Sequence, residues 1–149
     1  MMLVRSVLLP KDDSISLDDN MTAMDASATS TATIERRQPL GRQAEVRVRS
    51  VTGFDRGKGR FPGRLSEQCR QALRNGAESL ASAGMSMQDV VRVTYLVQDA
   101  DAFPACFPLL RDAFGDARPA ATLRFVGGFE VAGVQIELEL IARRGPICN

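Results

Sequence analysis

Histidine and tryptophan are both absent from this chain, and there is a single tyrosine. Without histidine the commonest metal ligand and the commonest neutral-pH general base are missing together, so any proton transfer must rest on carboxylates, thiols, hydroxyls or bound water. Cysteine is scarce: Cys69, Cys106 and Cys148 are odd in number, scattered and without a CxxC pair, so neither a zinc site nor a complete disulfide framework is indicated. Reduced thiols suit a cytoplasmic protein, and the apolar surroundings of Cys69 and Cys106 suit small core residues. Long apolar runs are missing too. Val7 to Leu9 is a short apolar patch near the start, and Pro10, Asp12 and Asp13 close it, too short for a signal-peptide core or a membrane span. Net charge is also nearly absent, at +1, so bulk charge gives no reason to expect nucleic acid or an anionic membrane as partner.

What is present fits one domain with a single core, residues 44–144, flanked by a poorly ordered or divergent segment at 1–43 and a short tail at 145–149. Ser, Thr, Ala and Asp dominate Asp18 to Thr33 without a period. Basic residues cluster from Arg36 to Arg64, which reads as a solvated basic face. From Ala44 to Val51 the order AEVRVRSV alternates, with Val46 and Val48 on one face and Arg47 and Arg49 on the other. Gly53 to Arg64 is a glycine-rich loop. A helix is expected from Ser66 to about Ala83, its inner face formed by Cys69, Leu73, Ala77 and Leu80, with Gly84 as a left-handed stop.

The β-branched run Val90 to Val97 predicts a strand central in the sheet. Asp99 or Asp101 can cap a second helix through Phe103 to Phe114, whose stripe Phe103, Phe107, Leu110 and Phe114 reads as core. The last third is the most regular. Val134, Ile136, Leu138, Leu140 and Ala142 alternate with Gln135, Glu137, Glu139 and Arg143, the signature of a half-buried strand. Ala120 to Val126 is a further strand, and Gly127-Gly128 supplies turn chemistry that can bring the two side by side. The sum is an α+β layer of helices on one face of a sheet.

The order of TGFD (Thr52 to Asp55), EQCRQALRN (Glu67 to Asn75), DVVRVTYLV (Asp89 to Val97) and the RPA…IELELIA ending resembles the RidA/YjgF/L-PSP family, over about Thr52 to Arg144. The resemblance implies a chorismate-mutase-like fold, a mixed sheet with two helices packed on one face. It implies a homotrimer with ligand clefts between subunits, and hydrolysis of small reactive enamines or imines to keto acids and ammonia, with no metal or organic cofactor. Carried over, the water-positioning glutamate falls on Glu139, whereas Glu137 on the same face is assigned a structural role. The loop after an early strand, Thr52 and Gly53, faces the nitrogen side of the substrate, and Phe107 belongs to the substrate-binding set.

The family's substrate-binding arginine stands two residues after the proline, and that position here is Ala121. Loss of a bidentate carboxylate clamp weakens ligand binding by about 2 to 5 kcal/mol. Arg118 is the substitute cation within reach, while Arg124 has the opposite strand parity to Ala121. The upstream Ser-Gly pair and tyrosine of the family are missing as well; Arg47 to Val51 stands in their place. Two alternatives to a hydrolase remain at this point: a trimeric module that binds a small metabolite without turnover, and an RNA-binding or ribonuclease relative. The second is disfavoured by the lack of histidine and by sparse stacking surface, Phe54 and Phe61.

Overall fold

The computed structural model of the protein describes residues 32–37 and 44–145. Five strands and two helices follow one another: β1 Thr33–Arg37, β2 Ala44–Thr52, α1 Leu65–Ser82, β3 Val90–Val97, α2 Phe107–Phe114, β4 Ala120–Phe125 and β5 Ile136–Arg144. The strands make one mixed sheet in the order β1-β2-β5-β3-β4, antiparallel throughout except for the parallel pair β3 and β4.

Alternation places β5 as expected. Val134, Ile136, Leu138, Leu140 and Ala142 are all buried, and they share their face with Val46, Val48 and Val51 of β2 and with Val93, Tyr95 and Val97 of β3. The helices pack on this face. Leu65, Cys69, Ala72, Leu73 and Leu80 of α1 and Phe103, Cys106 and Phe114 around α2 complete one core. Each fully buried leucine contributes about 2 kcal/mol. β2 keeps this pattern only by slipping its register between Val48 and Val51, at Ser50, where φ is 61°. The bulge turns Val51 back to the core that Val46 and Val48 already face.

At its end α1 stops on Gly84, with φ of +82°, where the Gly84 N–H donates to Ala81 O and the Met85 N–H to Leu80 O. This is the left-handed stop expected from the sequence, with Leu80 and Met85 packed into the same core.

Two expectations are corrected. Gly127-Gly128 does not form a hairpin between β4 and β5: β3 lies between them, and β4 takes the sheet edge beside it. Val126 donates to Val97 O, so the chain leaves β4 still paired with β3 and needs residues 126–135 to cross over to β5. β3 is interior as expected, paired with β5 on one side and β4 on the other. Thr33–Arg37 falls in the span read as an amino-terminal tail, yet it forms the edge strand β1. Backbone pairing to β2 and the Arg49–Glu35 ion pair hold it, and neither leaves an apolar period. The rest of that span, 1–31 and 38–43, lies outside the described residues, as does 146–149 of the carboxyl-terminal tail.

Between Phe103 and Phe114 the helix starts as a 3₁₀ turn, Phe103–Cys106, before α2 proper, as Pro104 and Pro108 require. Neither Asp99 nor Asp101 caps this helix: Ala102 precedes the 3₁₀ turn and Cys106 precedes α2, both without a side-chain cap, while Asp99 Oδ1 accepts from the Asp101 and Ala102 N–H groups at 3.0 and 3.2 Å and so holds the turn just ahead. Phe103 and Phe114 are buried, but Phe107 is 48% exposed, its ring set edge-to-face with Phe103 at 5.5 Å between ring centres. The aromatic stripe is therefore core at its ends and surface at Phe107.

Candidate functional site

Facing pairs on adjacent strands project to the same side of a sheet, so register fixes which candidate residues meet. Glu139 stands opposite Thr94 of β3, and Thr94 stands opposite Thr122 of β4. One row along, Thr52, Glu137, Leu96 and Arg124 line up across β2, β5, β3 and β4. These residues lie on the face away from the helices. The Glu139 carboxylate is half-buried there and has no hydrogen-bond or ion-pair partner among the described residues. Glu137 beside it is buried.

Thr52 ends β2 on the same face. Its side chain is buried, and its Oγ1 has no partner among the described residues. Gly53 follows, packed so closely on α1 that a Cβ would lie 2.4 Å from Gln68 O. Two buried amides of α1 hold this turn in place. Asn75 Nδ2 donates to Thr52 O at 2.9 Å and to Phe54 O at 3.0 Å. Gln68 Nε2 donates to Pro62 O and Gly133 O, and its Oε1 accepts from the Gln135 N–H. The β2–α1 loop and the approach to β5 are thereby tied to one helix. Removing either amide strands buried carbonyls, at a cost of about 1 to 3 kcal/mol for each group left unpaired.

Arg118 and Ala121 lie elsewhere. Ala121 pairs with Val93, a core residue, so it points to the helix side of β4. Together with Val93, Tyr95, Arg111, Asp116 and Arg118 it lines an open cavity of about 470 Å³. Arg118 closes the 3₁₀ turn Gly115–Ala117 in a left-handed conformation, φ 42° and ψ 61°. That region is unfavourable for a residue with a Cβ by about 1 to 2 kcal/mol, and it precedes a proline that favours extended backbone instead. Such strain persists where the surrounding structure imposes it, and here it turns the Arg118 side chain toward Ala121 at the cavity. Burial pushes the Tyr95 hydroxyl well above its ordinary range, so it stays protonated at this wall.

The predicted residues thus form two groups. Glu139, Thr52 and Gly53 gather on or beside the open face, and Arg118 and Ala121 gather on the helix side of the edge strand. Phe107 belongs to neither, since it sits at the exposed start of α2. The sheet separates Glu139 from Arg118. Arg124 does have the opposite parity to Ala121, and that parity puts it on the Glu139 side. Arg111 was missed in the sequence because its place in the cavity depends on how α2 packs over β3.

Cys69 and Cys106 are both free and fully buried in the core. The hydrogen bond they share and their burial push the Cys69 thiol up, so it remains protonated and inert. Among the described residues no cluster of acidic or sulfur side chains suited to a metal is present, and no helix is long and apolar enough to cross a membrane.

Comparison with known proteins agrees with this architecture. The family model described as endoribonuclease L-PSP matches residues 48–144. The chain is 33% identical over 103 residues to the 2-iminobutanoate/2-iminopropanoate deaminase of Capra hircus, covering 68% of this chain and 74% of that protein. It is 35% identical to the mitochondrial protein mmf2 of Schizosaccharomyces pombe, over 54% of this chain and 66% of that one. Among solved structures, a Mycobacterium tuberculosis protein of the YjgF/YER057c/UK114 family superposes with a TM-score of 0.65 at 26% identity, covering 83% of this chain and 94% of that one. The name of the fission-yeast protein places that relative in mitochondria, so a cytoplasmic location does not follow from the likeness.

Proposed function

The chain belongs to the endoribonuclease L-PSP family, and from that premise we propose that it is a deaminase of small enamines and imines, working at clefts between the subunits of a homotrimer. The reading rests on one observation above the others, an unpartnered carboxylate at Glu139 on the rigid central strand of a fold whose relatives include a 2-iminobutanoate/2-iminopropanoate deaminase. In the proposed reaction Glu139 orients a water and takes its proton as the oxygen adds to the imine carbon. The carbinolamine that forms then breaks its C–N bond, ammonia leaves with the returned proton, and a keto acid remains. No step requires a metal or an organic cofactor.

Substrate anchoring falls to the other face of the sheet, supplied by a neighbouring copy. Arg118, with Arg111 beside it, offers guanidinium groups at the cavity that Ala121 lines, in place of the family's arginine at that position. Thr52 Oγ1 and the Gly53 turn serve the nitrogen side. The experiment is ammonia release from imines generated in situ from amino acids. Glu139→Gln keeps the shape and removes the base, so the rate falls by about a hundredfold or more. The vacant Ala121 favours a second reading, a module that binds the same metabolites without turnover. Ligand-induced thermal stabilisation with no ammonia from any imine in the panel would establish that reading instead.

A further inference from the structure

The basic run noticed in the sequence is left unused by the deaminase reading, and part of it closes over α1. Residues 55–60 form a tight turn: Asp55 Oδ1 accepts from the Gly57 and Lys58 N–H groups at 2.9 and 3.1 Å, and Asp55 N–H donates to Arg60 O at 2.9 Å. This turn projects Lys58 and Arg60 toward the exposed face of α1, where Arg70 and Arg74 stand one helical turn apart. Between them lies a groove of about 540 Å³ whose base is Phe61, held edge-on against Phe54 at 5.1 Å between ring centres.

Charge in this groove is unbalanced. Lys58, Arg60, Arg70 and Arg74 line it, with only Asp55 and Glu67 of opposite sign. Asp55 is committed to the backbone of its own turn. Elsewhere arginines find carboxylates: Arg143 with Glu45, Arg144 with Asp89, Arg49 with Glu35 and Arg56 with Glu78. None of the four groove cations has such a partner among the described residues. Arg70 and Arg74 form an i, i+4 like-charge pair on the helix, which concentrates positive charge on this side of α1.

We propose that this groove is a binding site for a small phosphorylated metabolite, distinct from the deaminase cleft. Two guanidinium groups one turn apart suit the oxygens of a phosphate or diphosphate through forked hydrogen bonds, Lys58 and Arg60 supply the facing charges, and Phe61 gives the organic part an apolar floor. The volume is that of a small-molecule site. The proposal does not depend on the deaminase reading.

Calorimetric titration with sodium pyrophosphate at low ionic strength tests it. Wild-type protein binds, and the Arg70→Gln/Arg74→Gln variant binds about tenfold more weakly or worse, with a melting temperature no lower than wild type and unchanged ammonia release from imines. Arg92→Gln, a charge removed from the open face of the sheet, leaves pyrophosphate affinity unchanged. Equal weakening in Arg92→Gln would reduce the effect to bulk charge and overturn the site. Absence of pyrophosphate binding at millimolar concentration would overturn it too. So would tight binding of a single-stranded RNA oligomer without pyrophosphate binding, which would make the groove a track for a polymer.

Discussion

Glu139 and Ala121 carry the proposed chemistry at the scale of single residues, one by what it offers and the other by what it lacks. The carboxylate sits on β5 with backbone pairing on both sides, so its position is fixed before any ligand arrives. Ala121 sits on the edge strand beside a cavity already holding Arg111 and Arg118. If those cations carry the substrate carboxylate, restoring a guanidinium at the family's position adds a second clamp. Ala121→Arg is therefore expected to lower KM for an imine of a short-chain amino acid by about tenfold or more while kcat changes little, because a clamp used equally in ground and transition states acts on binding. Steady-state ammonia release checks it. A fall in kcat without improved KM would mean that position 121 lies outside the cleft.

Elements carry the second lesson, because the sheet's ends are secured by charge and its middle by burial. Ser86 and Asp89 form a reciprocal cap ahead of β3, and Asp89 also accepts from Arg144 at 2.6 Å, joining the start of β3 to the end of β5. The Arg144 guanidinium, opposed in part by burial and helped by the Ser86 N–H, holds the Asp89 carboxyl below the usual carboxylate range. A depressed folded value means that this contribution is complete above the unfolded aspartate value, about 3.9, and is lost as pH falls through the folded value. Melting temperatures of wild type and Asp89→Asn are accordingly expected to differ at pH 6 to 7 and to converge below about pH 4. A gap that persists undiminished at low pH would show that the cap works through shape alone.

At the scale of the whole molecule, the proposed cleft draws its two residue groups from opposite faces of the sheet, so it is complete only if copies of the chain meet. Residues drawn from different copies can be separated by mixing. Glu139→Gln and Arg118→Ala are each expected to be impaired, and a co-refolded equal mixture is expected to recover about a quarter of the wild-type rate, since each cleft draws its two residues independently. If both residues belonged to one copy, the mixture would recover nothing beyond the average of its parents. Light scattering on the same samples gives the number of copies.

Much of this was legible in the order of residues. Period-2 alternation from Val134 to Ala142, the apolar face of α1 and the stop at Gly84 are local consequences of backbone geometry, and the sequence alone determined them. It also determined the family, through motifs spread from TGFD to IELELIA, and the presence of alanine where an arginine belongs. Pairing was decided only in three dimensions. Gly127-Gly128 looked like a hairpin because turn chemistry is local, whereas the insertion of β3 between β4 and β5 depends on which strand edges bury most apolar surface. β1 was invisible because backbone pairing and an ion pair, rather than side-chain period, hold it. The same nonlocal register put Arg118 and Ala121 on one side of the sheet and Glu139 on the other: strand parity is written in a sequence within each strand, but which face two strands share is set by how they pair.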